Sequence, residues 1–135
     1  MLEGLERRRW LFEHGRLFAL IGRKTFSAAM MNALQLREQM QAILVGEPTG
    51  ARPNSYSEAA SFTLPNSHFQ VQYSRLYYHL VPGNPDGVIP DKVLPPTWSD
   101  YQAGTDAALE WAIHQIRSGE NRRPGQRPEN PVVGK

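Results

Sequence analysis

The stretch that most constrains this chain runs from Leu17 to Met40. Five apolar residues, Leu17-Phe18-Ala19-Leu20-Ile21, lie between Arg16 and Gly22 without alternation, the pattern of a strand buried on both faces. Gly22-Arg23-Lys24-Thr25-Phe26 follows as a turn, and Ser27 to Met40 reads as a helix with Met30, Ala33 and Leu34 on its apolar stripe. Ala42-Ile43-Leu44-Val45 is a second buried strand. Strand, helix and strand at this spacing make a βαβ unit, with neighbouring parallel strands and a right-handed crossover. Ser27 therefore stands at a strand-to-helix turn. There a hydroxyl is exposed, and the free amides of the helix start are available to an oxyanion. The plainer reading of such a serine is a helix N-cap.

The loop Gly46 to Asn54 leaves the C-terminal end of the second strand, the edge of an α/β sheet where sites gather. Ser27 lies beyond the end of the first strand, so serine and loop should share that edge. Glu47 and Arg52 are thereby candidate substrate-binding residues, against the plainer reading of a polar connection.

The rest is organised around this unit. Residues 2 to 14 have the apolar members Leu2, Leu5, Trp10 and Leu11 of a short helix, with Arg7, Arg8 and Arg9 facing water. Residues 59 to 64 and 69 to 73 alternate about the turn Pro65-Asn66-Ser67, which predicts a hairpin with one buried face. Arg75 to Leu80 either prolongs its second strand or leaves it. Val81 to Pro96 is rich in Pro and Gly and reads as irregular. A last helix from about Asp106 to Ser118 has a cap at Thr105 or Asp106, a stripe of Leu109, Ala112, Ile113 and Ile116, and a stop at Gly119. Residues 120–135 are polar, with three prolines and no periodicity, and read as a disordered tail.

Composition excludes several classes. In 135 residues, 15 Lys and Arg against 13 Asp and Glu leave a net charge of +2, too mild to argue for nucleic acid. The absence of cysteine excludes a disulfide framework and thiolate metal sites. No apolar run is long enough to span a membrane, and the first residues lack the h-region of a signal peptide, which leaves the compartment open. His79 and His68 are the histidines nearest to a possible base role, though a histidine in an aromatic-rich stretch is more often structural.

Five blocks then occur in order: Thr25-Phe26-Ser27-Ala28-Ala29, Ile43-Leu44-Val45-Gly46-Glu47-Pro48-Thr49-Gly50, Leu64-Pro65-Asn66-Ser67, Ile89-Pro90-Asp91, and Tyr101-Gln102-Ala103-Gly104-Thr105-Asp106-Ala107-Ala108-Leu109-Glu110. Over residues 16 to 117 the chain resembles the C-terminal half of the catalytic domain of the tail-specific (C-terminal processing) serine peptidases. Its Gly-Glu-Pro-Thr-Gly form is similar to the tricorn-core-like branch.

The resemblance implies an α/β fold of crotonase/Clp-protease-like βαβ units. On this reading residues 1–119 are a partial domain with a β-hairpin and a C-terminal helix. It implies that Ser27 is the acylating nucleophile and that the Ala28 backbone N–H is an oxyanion donor. A carboxylate from the C-terminal part, Asp86 or Asp91, would assist. A peptide or protein is the implied substrate, and no metal or cofactor is required.

Two departures stand out. Where the Ser-Lys branch has its lysine, twenty-five positions after the serine, this chain has Arg52, which stays protonated and cannot act as a base. Met30 stands where an acidic residue usually follows the serine, and Lys24 does not match the family lysine. In the tricorn-like branch the histidine base and a glycine-rich oxyanion segment precede the part represented here. The chain thus reads as half an active site, to be completed by an upstream half-domain or by a homo-oligomer. The alternatives are a non-catalytic member that binds a peptide or hydrophobic ligand, and an inactive fragment.

Overall fold

The structure is a computed structural model that describes residues 9–13 and 15–119. Of the N-terminal helix expected over residues 2 to 14, only a short 3-10 turn, Arg9–Phe12, lies within that range. The tail expected from residue 120 lies outside it.

The chain is mixed α/β, built on a three-stranded parallel sheet and a separate antiparallel hairpin. Strand β1 (Phe18–Ile21) leads to helix α1 (Ala28–Met40) and then to β2 (Ile43–Gly46). Phe18 pairs with Ile43 and Ile21 with Gly46, in parallel. A two-residue strand, β5 (Lys92–Val93), pairs with the other side of β2, so the order is β1-β2-β5. β2 is central and every residue in it is buried, as its uninterrupted apolar sequence requires.

Alternation along β1 assigns the two faces of this sheet. Ala19 and Ile21 join Leu44, Met30, Ala33 and Leu34 in one cluster under α1, which Ala51, Leu80, Val81 and Val88 complete. Phe18 points the other way and meets Trp111 edge-on, with ring centroids 6.0 Å apart. Trp111 belongs to α3 (Ala107–Ser118), so helices cover both faces. Full burial of side chains such as Leu44 and Val45 contributes about 1.5–3 kcal/mol each.

Helix α1 ends where Gln41 takes the left-handed conformation. Helix α3 starts at Asp106, whose carboxylate accepts the Leu109 N–H at 3.0 Å, and stops at Gly119. Between β5 and α3 lies a short helix not expected from the sequence, α2 (Trp98–Ala103). It is held by a reciprocal cap: Thr97 accepts the Asp100 N–H, and Asp100 accepts the Thr97 N–H. These bonds from Thr97 hold the Asp100 carboxyl below its ordinary range.

The hairpin corrects the expectation of one buried face. Strands β3 (Ser55–Thr63) and β4 (Gln70–Tyr78) are longer than their alternating cores, and β4 takes the prolonged course. Neither face is covered. Tyr56, Phe62, Tyr73, Leu76 and Tyr77 are all at least half exposed. Alternation in sequence reported a two-faced ribbon, but among the described residues no other element packs extensively on it.

The base of the hairpin is fastened. The buried side-chain amide of Asn54 donates to the carbonyls of Val81 (2.9 Å) and Gly83 (2.6 Å). Its oxygen accepts the N–H groups of Leu80 (2.8 Å) and Val81 (3.1 Å). One side chain thus ties the entry of β3 to the exit of β4.

Candidate active site at the start of helix α1

Gly22 to Thr25 forms a turn in which the Thr25 N–H donates to the Gly22 carbonyl (2.7 Å) and the Thr25 hydroxyl accepts the Gly22 N–H (3.0 Å). A second turn follows at once. The Ala29 N–H donates to the Phe26 carbonyl at 3.0 Å, with Ser27 and Ala28 between them. Ser27 has φ 50° and ψ −121°, the first central position of a type II′ turn, which glycine ordinarily fills. For a residue with a Cβ this conformation costs about 1–3 kcal/mol.

Ser27 occupies the N-cap position of α1, but its side chain makes no capping hydrogen bond. Among the described residues its hydroxyl has no hydrogen-bond partner, and the Ala28 N–H has no backbone acceptor. Both residues are exposed. A strained serine, an unspent hydroxyl and an adjacent free amide therefore coincide at the positive end of a thirteen-residue helix.

The loop after β2 lies against this turn, as the shared sheet edge predicts. Gly50 runs so close to the Arg23 carbonyl that a Cβ built on it would stand 2.1 Å from the oxygen. The Glu47 N–H donates to the Ile21 carbonyl (3.1 Å), and the Glu47 carboxylate lies 3.2 Å from Arg23 Nε. Thr49 anchors the loop from below: its buried hydroxyl donates to the Ala51 carbonyl and accepts the Val88 N–H, both at 2.8 Å.

Each of the other candidate residues has a definite place. Glu47 is at the serine edge, engaged with Arg23. Arg52 forms a surface ion pair with Asp86, so these two candidates hold each other. Asp91 accepts the Leu44 N–H at 2.8 Å, where its side chain extends the β2–β5 ladder by one bond. Such a bond is a structural role sufficient to account for this carboxylate. His68 lies in the hairpin turn and His79 just beyond β4; both are exposed, and neither is hydrogen-bonded to Ser27. Lys24 is exposed in the turn before the serine.

Sequence reasoning missed the backbone strain at Ser27, the Arg23–Glu47 pair and the Asn54 clamp. No residue from Phe26 to Ala29 is a glycine, the local signal for such a turn. The other two features join residues distant in sequence and leave no local pattern.

Among the described residues no cluster of His, Asp or Glu could hold a metal ion, and no helix is long and apolar enough to cross a membrane. No protein-family model matches the chain, and no curated protein matches it.

Proposed function

We propose that this chain carries the nucleophile of a serine-type peptidase and is a partial catalytic domain of the crotonase/Clp-protease-like type. The observation that carries this reading is Ser27 itself. A serine acting only as a cap would have β-region backbone angles and bond an amide of its own helix. Ser27 does neither. Backbone strain of this kind persists where the surroundings enforce it, and here Ala29, the Gly22–Thr25 turn and Gly50 packed on Arg23 do so.

In the proposed reaction the Ser27 Oγ attacks the carbonyl carbon of a peptide bond and its proton passes to a general base. The carbonyl oxygen gains the negative charge and is met by the Ala28 N–H. Collapse of the adduct breaks the C–N bond, and the departing amine takes the proton from the base. Water then attacks the ester carbonyl as the base takes its proton, and collapse breaks the bond to Ser27 Oγ, which takes that proton back and releases the acid.

The base comes from outside the described residues, consistent with the resemblance to the tail-specific peptidases, whose tricorn-like branch draws its histidine from an upstream half-domain. Asp86 is the carboxylate free of a backbone role and assists in this reading, with Glu47 and Arg23 lining the substrate approach.

A non-catalytic reading, a peptide- or ligand-binding member of the same fold, is favoured by one observation. No histidine or lysine among the described residues is bonded to Ser27.

Labelling with a fluorophosphonate probe, mapped by mass spectrometry with Ser27→Ala as control, separates the two. Labelling at Ser27 that the substitution abolishes supports the peptidase. A folded chain that does not label supports the binding module or an inactive fragment.

A further inference from the structure

The hairpin carries a charge defect that singles out a partner. Tyr56 lies opposite Tyr77, Ala60 opposite Tyr73 and Phe62 opposite Val71, so these six residues share one face. The rings of Tyr56 and Tyr77 are 4.8 Å apart, and those of Phe62 and Tyr73 are 6.2 Å apart. By the same alternation Arg75 stands on this face between Tyr73 and Tyr77.

The register on either side, Ser57 with Leu76 and Ala59 with Ser74, sets Glu58 opposite Arg75. An antiparallel ribbon would normally join such a pair across the strands. Here the pair drops out of the ladder. Glu58 has φ 56°, a left-handed conformation in mid-strand, and its carboxylate accepts the Tyr78 hydroxyl at 2.9 Å. Tyr78 belongs to the opposite face, and the Glu58 carboxylate raises its phenol above the usual range. Among the described residues Arg75 has no ion pair. Backbone strain has therefore turned the natural counter-ion away and left a lone guanidinium amid exposed aromatic rings.

We propose that this face docks an extended, apolar polypeptide segment from another protein that carries a carboxylate to meet Arg75. Nine residues per strand give a platform about 30 Å long, room for a segment of similar length. The rings supply flat apolar area, and Arg75, exposed on the same face, selects for Asp or Glu by a charge-assisted bond. A second copy of the same face is disfavoured, because it would bring two Arg75 side chains together. The proposal is independent of Ser27 chemistry.

The test uses the full chain and fluorescein-labelled nonapeptides of alternating Val and Ser with Glu, Gln or Lys at the centre, read by fluorescence anisotropy. The Glu peptide should bind at least about tenfold more tightly than the Gln or Lys peptide, and Arg75→Glu should reverse the order in favour of Lys. Ser27→Ala should leave these affinities unchanged. Equal binding of all three peptides, or an order that survives Arg75→Glu, overturns the proposal. So does a dimer in sedimentation that Tyr73→Ser dissolves, since the face would then belong to a second copy. Far-ultraviolet circular dichroism of each variant confirms that the chain is folded.

Discussion

Ser27 is where one residue's backbone and its chemistry meet. Its φ of 50° predicts an ordering that side-chain contacts alone would not. Ser27→Gly relieves the turn, whereas Ser27→Ala keeps the Cβ and the strain. In urea unfolding the glycine variant should be the more stable of the two by about 1 kcal/mol, after allowing for the entropy that glycine adds to the unfolded chain. An alanine variant as stable as the glycine one would mean that the turn is not strained. The position of Ser27 was legible in sequence, because an apolar run, a turn and a helix pattern bracket it. Its conformation was not, because φ and ψ depend on the turn hydrogen bond and on loops from elsewhere. The same distinction holds for Asp91. The family resemblance offered it, with Asp86, as an assisting carboxylate, while its bond to Leu44 depends on the register of a strand only two residues long.

At the scale of elements, β1, α1, β2 and α3 were legible because each buries a periodic or continuous apolar pattern. Strand β5 and helix α2 were not. Lys92 and Val93 are exposed and too few to make a pattern, and α2 has no buried residue to mark a stripe. The hairpin was legible as a ribbon but not as an uncovered one, since alternation shows which face is apolar and not what lies on it. Its attachment rests on Asn54. Asn54→Ala leaves two backbone N–H groups and two carbonyls without their partner in a partly buried setting. A loss of about 2–4 kcal/mol is expected in denaturant unfolding. In hydrogen exchange the amides of Leu80 and Val81 should lose protection before those of β2. Unchanged protection at Leu80 and Val81 would argue that the clamp is dispensable.

At the scale of the whole molecule, much apolar surface remains in water. Apart from the hairpin face, which is assigned above to another protein, Leu20 in β1 is 45% exposed, and Leu109, Ile113 and Ile116 on α3 are 44%, 37% and 48% exposed. Among the described residues β1 is also an open edge, four residues without charge or proline to discourage pairing. The isolated chain should therefore bind a hydrophobic dye such as ANS and associate at micromolar concentration. A monomer in sedimentation that melts cooperatively and excludes the dye would count against a partial domain.

The Asn54 clamp has a consequence for the order in which the chain folds. β1 and β2 meet across one helix, but β2 and β5 meet only after a long excursion through the whole hairpin. Closing such an excursion costs chain entropy that grows with its length. Once Asn54 has joined Leu80 and Val81, the hairpin no longer counts towards that length, and only the segments on either side of it have to be fixed. The hairpin should thus act as a preformed brace that brings β5 within reach of β2. Weakening its base would slow the docking of β5 while leaving the β1–α1–β2 unit free to form.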